Sequence, residues 1–178
     1  RTIAIDRPGY GWSEGGWVDY REQIEVVYKM LRKIGVRRAV FVGHSFGGRV
    51  AYEVAAAAPS RVERLVLLDP AIRLPPYVGL VTAENARHDR SYVSFEEGID
   101  RRYEESVLTT APRELVETEL RQHLVPDEDG RWRYRYCQSA VVAAYGEMTR
   151  EQPAFTGVRI PTLLLLGETS YLPYDALL

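Results

Sequence analysis

The 178-residue chain predicts an α/β fold, with a mostly parallel sheet, helices on both faces and a helical insertion. Three observations carry this. Apolar runs of strand length recur at residues 2–5, 36–42, 65–69 and 160–167, and the first three alternate with segments that read as helix. At 39–42, 65–68 and 163–166 the runs are unbroken, as in strands buried on both faces. Residues 72–152 differ, being rich in Arg, Glu and Tyr, and a stretch that long between two core strands is not bare loop.

Each element has its own signals. Thr2-Ile3-Ala4-Ile5 reads as a short buried strand, closed by the turn residues Pro8, Gly9 and Gly11. A helix over 20–34 follows, with Asp19 as N-cap and Glu22 in capping-box position. Ile24, Val27, Tyr28, Leu31 and Ile34 form its apolar stripe, and Gly35 suits its exit. A second strand at 36–42 leads into Gly43-His44-Ser45-Phe46-Gly47-Gly48, and a helix over 49–58 leads out. Gly47, Gly48, Ala51, Ala55 and Ala58 let that helix pack close to a sheet, and Pro59 ends it. The third strand closes at Asp69. In the insertion, Ser94-x-x-Glu97 and Pro112 mark helix starts. The chain divides into a first core part at 1–71, a helical cap at 72–152 and a second core part at 153–178.

Hydrophobic residues at 46% and charged residues at 27% describe a soluble globular protein long enough for one core. A net charge of -2 gives no long-range attraction to nucleic acid or an anionic membrane. Apolar runs of four or five residues are too short to span a bilayer. Cys137 is the only cysteine, so no intrachain disulfide forms and a reducing, cytoplasmic setting is expected. Its thiol reads as a small buried hydrophobe.

No metal site is expected without a Cys/His cluster, and no cofactor. Gly9-x-Gly11 after a strand does not complete a dinucleotide fingerprint, because the third glycine falls one residue late at Gly15 and Pro8 intrudes. No Lys follows the glycines, which excludes a P-loop. Arg131-Trp132-Arg133-Tyr134-Arg135-Tyr136 interleaves basic and aromatic residues. It reads as an extended segment with its aromatic side inward after the turn at 127–130, not as a single-stranded nucleic-acid platform.

The pattern Gly43-x-Ser45-x-Gly47 between a strand and a helix is a nucleophile elbow. The turn is tight enough to need glycines around it, and it lifts the serine hydroxyl clear of the sheet beside the first N–H groups of the helix. Serine alone is a poor nucleophile at neutral pH and needs a base and a group to orient that base.

The succession of a strand, Asp6-Arg7-Pro8-Gly9-Tyr10-Gly11-Trp12-Ser13, a helix, a strand, Gly43-His44-Ser45-Phe46-Gly47-Gly48, a helix and a strand ending Leu68-Asp69-Pro70 resembles the α/β-hydrolase superfamily. Its capped lipase/esterase-type members are the nearer likeness. Ile160-Pro161-Thr162-Leu163-Leu164-Leu165-Leu166-Gly167 resembles the strand after the cap. The resemblance covers essentially the whole chain. It implies a fragment that begins at the family's fourth core strand and stops past its seventh, with the catalytic histidine beyond Leu178 and little activity of its own.

By that resemblance Ser45 is the nucleophile and the Phe46 N–H an oxyanion donor, while the Phe46 side chain packs. The family's order is serine, acid, histidine, with a frequent Gly-x-x-Asp after the cap strand; here that position is Ser170. Asp175, further along the loop, is the first choice for the acid. Asp69 at the end of the third strand is the second, though an Asp before Pro70 also makes a turn; Glu168 is third. His44 reads as packed or pocket-lining, and His88 and His123 as helix-surface residues, so none serves as the base. The implied reaction is hydrolysis of a small-molecule carboxylic ester through an acyl-enzyme. C–C bond hydrolysis, perhydrolysis and non-catalytic ligand binding on the same fold are the alternatives.

Overall fold

A computed structural model of the chain describes residues 1–106, 111–170 and 172. Helix α1, Tyr20–Lys33, starts where the Asp19 carboxylate accepts from the Glu22 N–H at 2.9 Å. Strand β1, Ala39–His44, runs directly into helix α2, Ser45–Ala57. Strand β2, Val62–Leu68, lies parallel to β1 with Phe41 opposite Leu65 and His44 opposite Leu68. That ladder carries β1 two residues past the apolar run, up to Ser45. The glycines after Ser45 already wind as helix, so α2 starts four residues earlier than its periodicity suggests.

The expected strand at Thr2-Ile3-Ala4-Ile5 does not form. These residues are irregular and exposed, and an open cavity of about 740 Å³ is bounded by both this segment and β1. Among the described residues no strand pairs with this segment, and a strand without a ladder partner gains nothing from an extended conformation.

After β2 the chain leaves the sheet. Helix α3, Pro76–Asn85, is followed by strand β3, Ser91–Tyr92, and helix α4, Phe95–Ser106. The Ser94 hydroxyl accepts from the Glu97 N–H at 3.0 Å and the Glu97 carboxylate from the Val93 N–H at 2.6 Å, a reciprocal cap. Helix α5, Arg113–His123, has Pro112 as its N-cap rather than inside its first turn. Strands β4, Leu124–Pro126, and β5, Trp132–Tyr134, pair antiparallel, and β5 also pairs with β3. Helix α6, Gln138–Met148, then packs on α3. Gly79 permits that contact, because a Cβ there would run into the Thr149 side chain and stand 3.1 Å from the Tyr145 carbonyl oxygen.

The insertion is thus mixed rather than purely helical. It has its own apolar cluster of Tyr92, Phe95, Ile99, Val116, Leu120 and Leu124, flanked by Trp132 and Tyr134. The interleaved segment 131–136 therefore does turn aromatic side chains inward, while Arg133 pairs outward with Asp127 and Asp129.

Strand β6, Thr162–Leu165, returns to the sheet parallel to β2, giving the order β1-β2-β6. The main core lies between this sheet and helices α1 and α2, with Val27, Leu31, Tyr52, Val54, Val62 and Leu65 buried together. On the opposite face Val40, Val42, Leu163 and Leu165 are half or more exposed. Among the described residues no helix is long and apolar enough to cross a membrane.

Candidate active site

Ser45 stands at the β1–α2 junction with φ of 49°, a left-handed backbone uncommon outside glycine and worth roughly 1–3 kcal/mol of strain. Gly43 and Gly48 make room for it. A Cβ on Gly43 would fall on the Gly47 carbonyl, and one on Gly48 would lie 2.7 Å from Pro70 Cβ. A Cβ on Gly47 meets nothing within 4 Å. That glycine borders the open cavity beside β1, so the crowding the motif implies falls on Gly48 instead.

No side chain caps the start of α2. Its first N–H groups, including that of Phe46, lack intrahelical acceptors and carry the positive end of the helix dipole. The Phe46 side chain is buried and stacks on Tyr20 at 5.8 Å.

Ser45 borders a cavity of about 230 Å³ roofed by α3 and α6, with Leu74, Val78, Ala144 and Met148 among its apolar walls. Arg7 and Tyr10 enter the same cavity from the first loop. That loop is built by local bonding: the Asp6 carboxylate accepts from the Trp12 N–H at 3.0 Å, and the Arg7 carbonyl from the Tyr10 N–H at 2.9 Å. Gly11, with φ of 56°, leaves the space that the Asp6 carboxylate fills. The loop is then pinned to the insertion by the Gly11 N–H on the Arg135 carbonyl and the Cys137 N–H on the Gly9 carbonyl. Burial lowers the Arg7 guanidinium from its ordinary value, and raises the Tyr10 phenol against the pull of Arg7. Cys137 is half-buried, not buried as its composition suggested, with Sγ 3.0 Å from the Ser139 hydroxyl.

Asp69 ends β2 with φ of 43°. The Ala71 N–H donates to the Ser45 carbonyl at 3.0 Å, stitching the Asp69 turn to the elbow. The Asp69 carboxylate accepts from the Gly167 N–H and from the Ser170 hydroxyl, each at 2.8 Å. Ser170 therefore has a physical account. A carboxylate in its place would face Asp69 with like charge, whereas a hydroxyl donates to it. Asp175 lies outside the described residues, and Glu168 is exposed.

The histidines stand elsewhere. His44 is exposed and does not border the Ser45 cavity, contrary to the packed or pocket-lining reading. Alternation along β1 puts it on the open face with Val40 and Val42. His88 is exposed and His123 half-buried at the end of α5; neither borders the cavity.

Reading the sequence missed Arg49, which is fully buried. Its guanidinium pairs with Glu53 at 2.7 Å and donates to the carbonyls of Ile72, Arg150 (3.3 Å) and Glu151 (2.9 Å). It grips both ends of the insertion.

The elbow, the loop 6–13 and the strand returning after the insertion form one arrangement, and a family model described as "Alpha/beta hydrolase family" matches residues 1–177. The chain belongs to the alpha/beta hydrolase family. Among curated relatives, Lipase LipV of Mycobacterium tuberculosis is 31% identical over 153 residues, covering 83% of this chain and 57% of that protein. The 2-hydroxymuconate semialdehyde hydrolase of Pseudomonas putida is 34% identical over 125 residues, covering 60% of this chain and 44% of that one. Among solved structures, E-2-(acetamidomethylene)succinate hydrolase superposes with a TM-score of 0.78 at 23% identity, over 97% of this chain and 65% of its own. The chain thus spans about half the length of these two curated alpha/beta hydrolases. The family membership and the parallel sheet agree with the fold class expected from the sequence.

Proposed function

We propose that the protein to which this chain belongs is a serine hydrolase that cleaves a carboxylic ester through an acyl-enzyme on Ser45. One observation carries the reading: Ser45 holds a strained left-handed backbone at the uncapped start of α2 and opens on an apolar cavity. Ser45 Oγ attacks the acyl carbonyl and gives its proton to a base from outside the described residues. The developing oxyanion is met by the Phe46 N–H. The base returns the proton to the departing alcohol, and water then releases the acid by the same route.

For the acid that orients the base, Asp69 has support from its position beside the elbow, where Gly167 and Ser170 donate to its carboxylate. Asp175 stays the alternative. The 2-hydroxymuconate semialdehyde hydrolase relative favours a second reading, C–C bond hydrolysis, which would use the same serine and oxyanion donor.

A neutral fluorophosphonate reagent applied to the full-length protein tests the nucleophile. Labelling is expected on Ser45 and is abolished in Ser45→Ala. Folded protein that takes no label would leave only ligand binding on this fold.

A further inference from the structure

Arg7 is the one formal charge among the described residues that border the Ser45 cavity. Its Cζ lies 4.2 Å from the Tyr10 ring centroid and 4.4 Å from that of Phe46, the residue after the nucleophile. Its polar contacts are slight. Nη1 donates to Gln23 Oε1 at 3.5 Å, and the phenols of Tyr10 and Tyr20 are its other polar neighbours. No carboxylate of the described residues is within ion-pair distance. A guanidinium has five N–H donors and stays charged at neutral pH, so most of its donors have no acceptor among the described residues.

Aromatic faces stabilise such a cation, but they supply no counter-charge and accept none of the in-plane N–H bonds. Arg7 is half-buried, and a charge partly removed from water gains from both. The start of α2 adds positive potential at the same place, so the polar end of this apolar cavity favours a negative group. Arg7 also borders the larger cavity beside β1, whose carboxylate Glu63 makes no ion pair with it among the described residues.

We propose that Arg7 selects substrates whose acyl part ends in a second, ionised carboxylate, making short half-esters of dicarboxylic acids the preferred class. This rests on Ser45 being the nucleophile. The guanidinium fork accepts the distal carboxylate while the ester carbonyl lies at Ser45, and the apolar walls take the methylenes between. Neutral esters of the same length fit the walls but leave the guanidinium without its partner.

The test compares hydrolysis of mono-p-nitrophenyl glutarate and p-nitrophenyl pentanoate by the full-length protein, with neutral fluorophosphonate labelling of Ser45 alongside. The glutarate ester is expected to show a kcat/KM about tenfold or more higher, the range of a charge-assisted hydrogen bond, mainly through KM. Arg7→Gln should bring the ratio close to one. Arg7→Lys, which keeps the charge and loses the fork, should give a ratio between the two.

Absence of labelling in the wild type means the nucleophile reading has failed, independently of Arg7. Wild-type labelling with no preference for the glutarate ester overturns the selectivity proposal. So does a wild-type ratio that persists in either variant. Should Arg7→Gln not fold, the Arg7→Lys ratio decides alone.

Discussion

At the scale of single residues, the elbow shows which glycine carries the steric demand. Gly43 faces the Gly47 carbonyl, whereas Gly47 faces open space. Gly43→Ala is therefore expected to destabilise the fold by roughly 1–3 kcal/mol, as overpacking does. Gly47→Ala should cost under about 1 kcal/mol, because Ala is otherwise the better helix former. Urea denaturation of the two variants measures the difference, and equal losses would mean the turn does not crowd Gly43. The Ser45–Phe46 pair was legible from the motif because a strand-to-helix turn leaves a strict local signature. Asp69 and Ser170 were legible only as separate positions. Their hydrogen bond joins residues 101 apart, a separation that no local pattern encodes.

At the scale of elements, helices with caps were the most readable. Asp19 and Ser94 both cap where the sequence puts them, since capping is a bond within four residues. The two- and three-residue strands β3 and β4 were not read, because periodicity needs more than one repeat to register. The turn before β5 illustrates what fixes such short pieces. Arg133 meets Asp129 through paired bonds of 2.8 Å, and also Asp127 at 2.8 Å. The Arg133 hydrogen bonds, then the Arg131 N–H, hold the Asp129 carboxyl down to about 2. A carboxyl whose folded value lies below its unfolded one adds stability above the unfolded value, and that contribution is lost as pH falls through the folded one. The stability contribution should thus be full from neutral pH down to about pH 4 and be lost towards pH 2, where the pairing itself reaches its midpoint. A carbon-detected NMR titration of Asp129 checks this: a midpoint near an ordinary aspartate's would show the pairing is not formed in solution.

At the scale of the molecule, Arg49 ties the insertion's two ends to α2. Arg49→Met would leave Glu53 without its partner and three carbonyls with one donor fewer. A loss of roughly 3–5 kcal/mol is expected, as for removal of one member of a buried pair. Chemical denaturation measures it, and a loss under about 1 kcal/mol would show that Arg49 is not what holds the insertion.

The sequence by itself determined the α/β class, the order of the core strands along the chain, the elbow at Ser45 and the place of the insertion. All of these follow from periodicity, caps and glycines acting over a few residues. Only the tertiary structure decided that residues 2–5 stay unpaired, that His44 turns away from the cavity, that Ser170 serves Asp69, that Arg7 borders the Ser45 cavity and that Arg49 is drawn inside. Those outcomes depend on which distant groups arrive alongside. A strand needs a neighbour's backbone, and a buried charge needs partners that only the folded chain assembles.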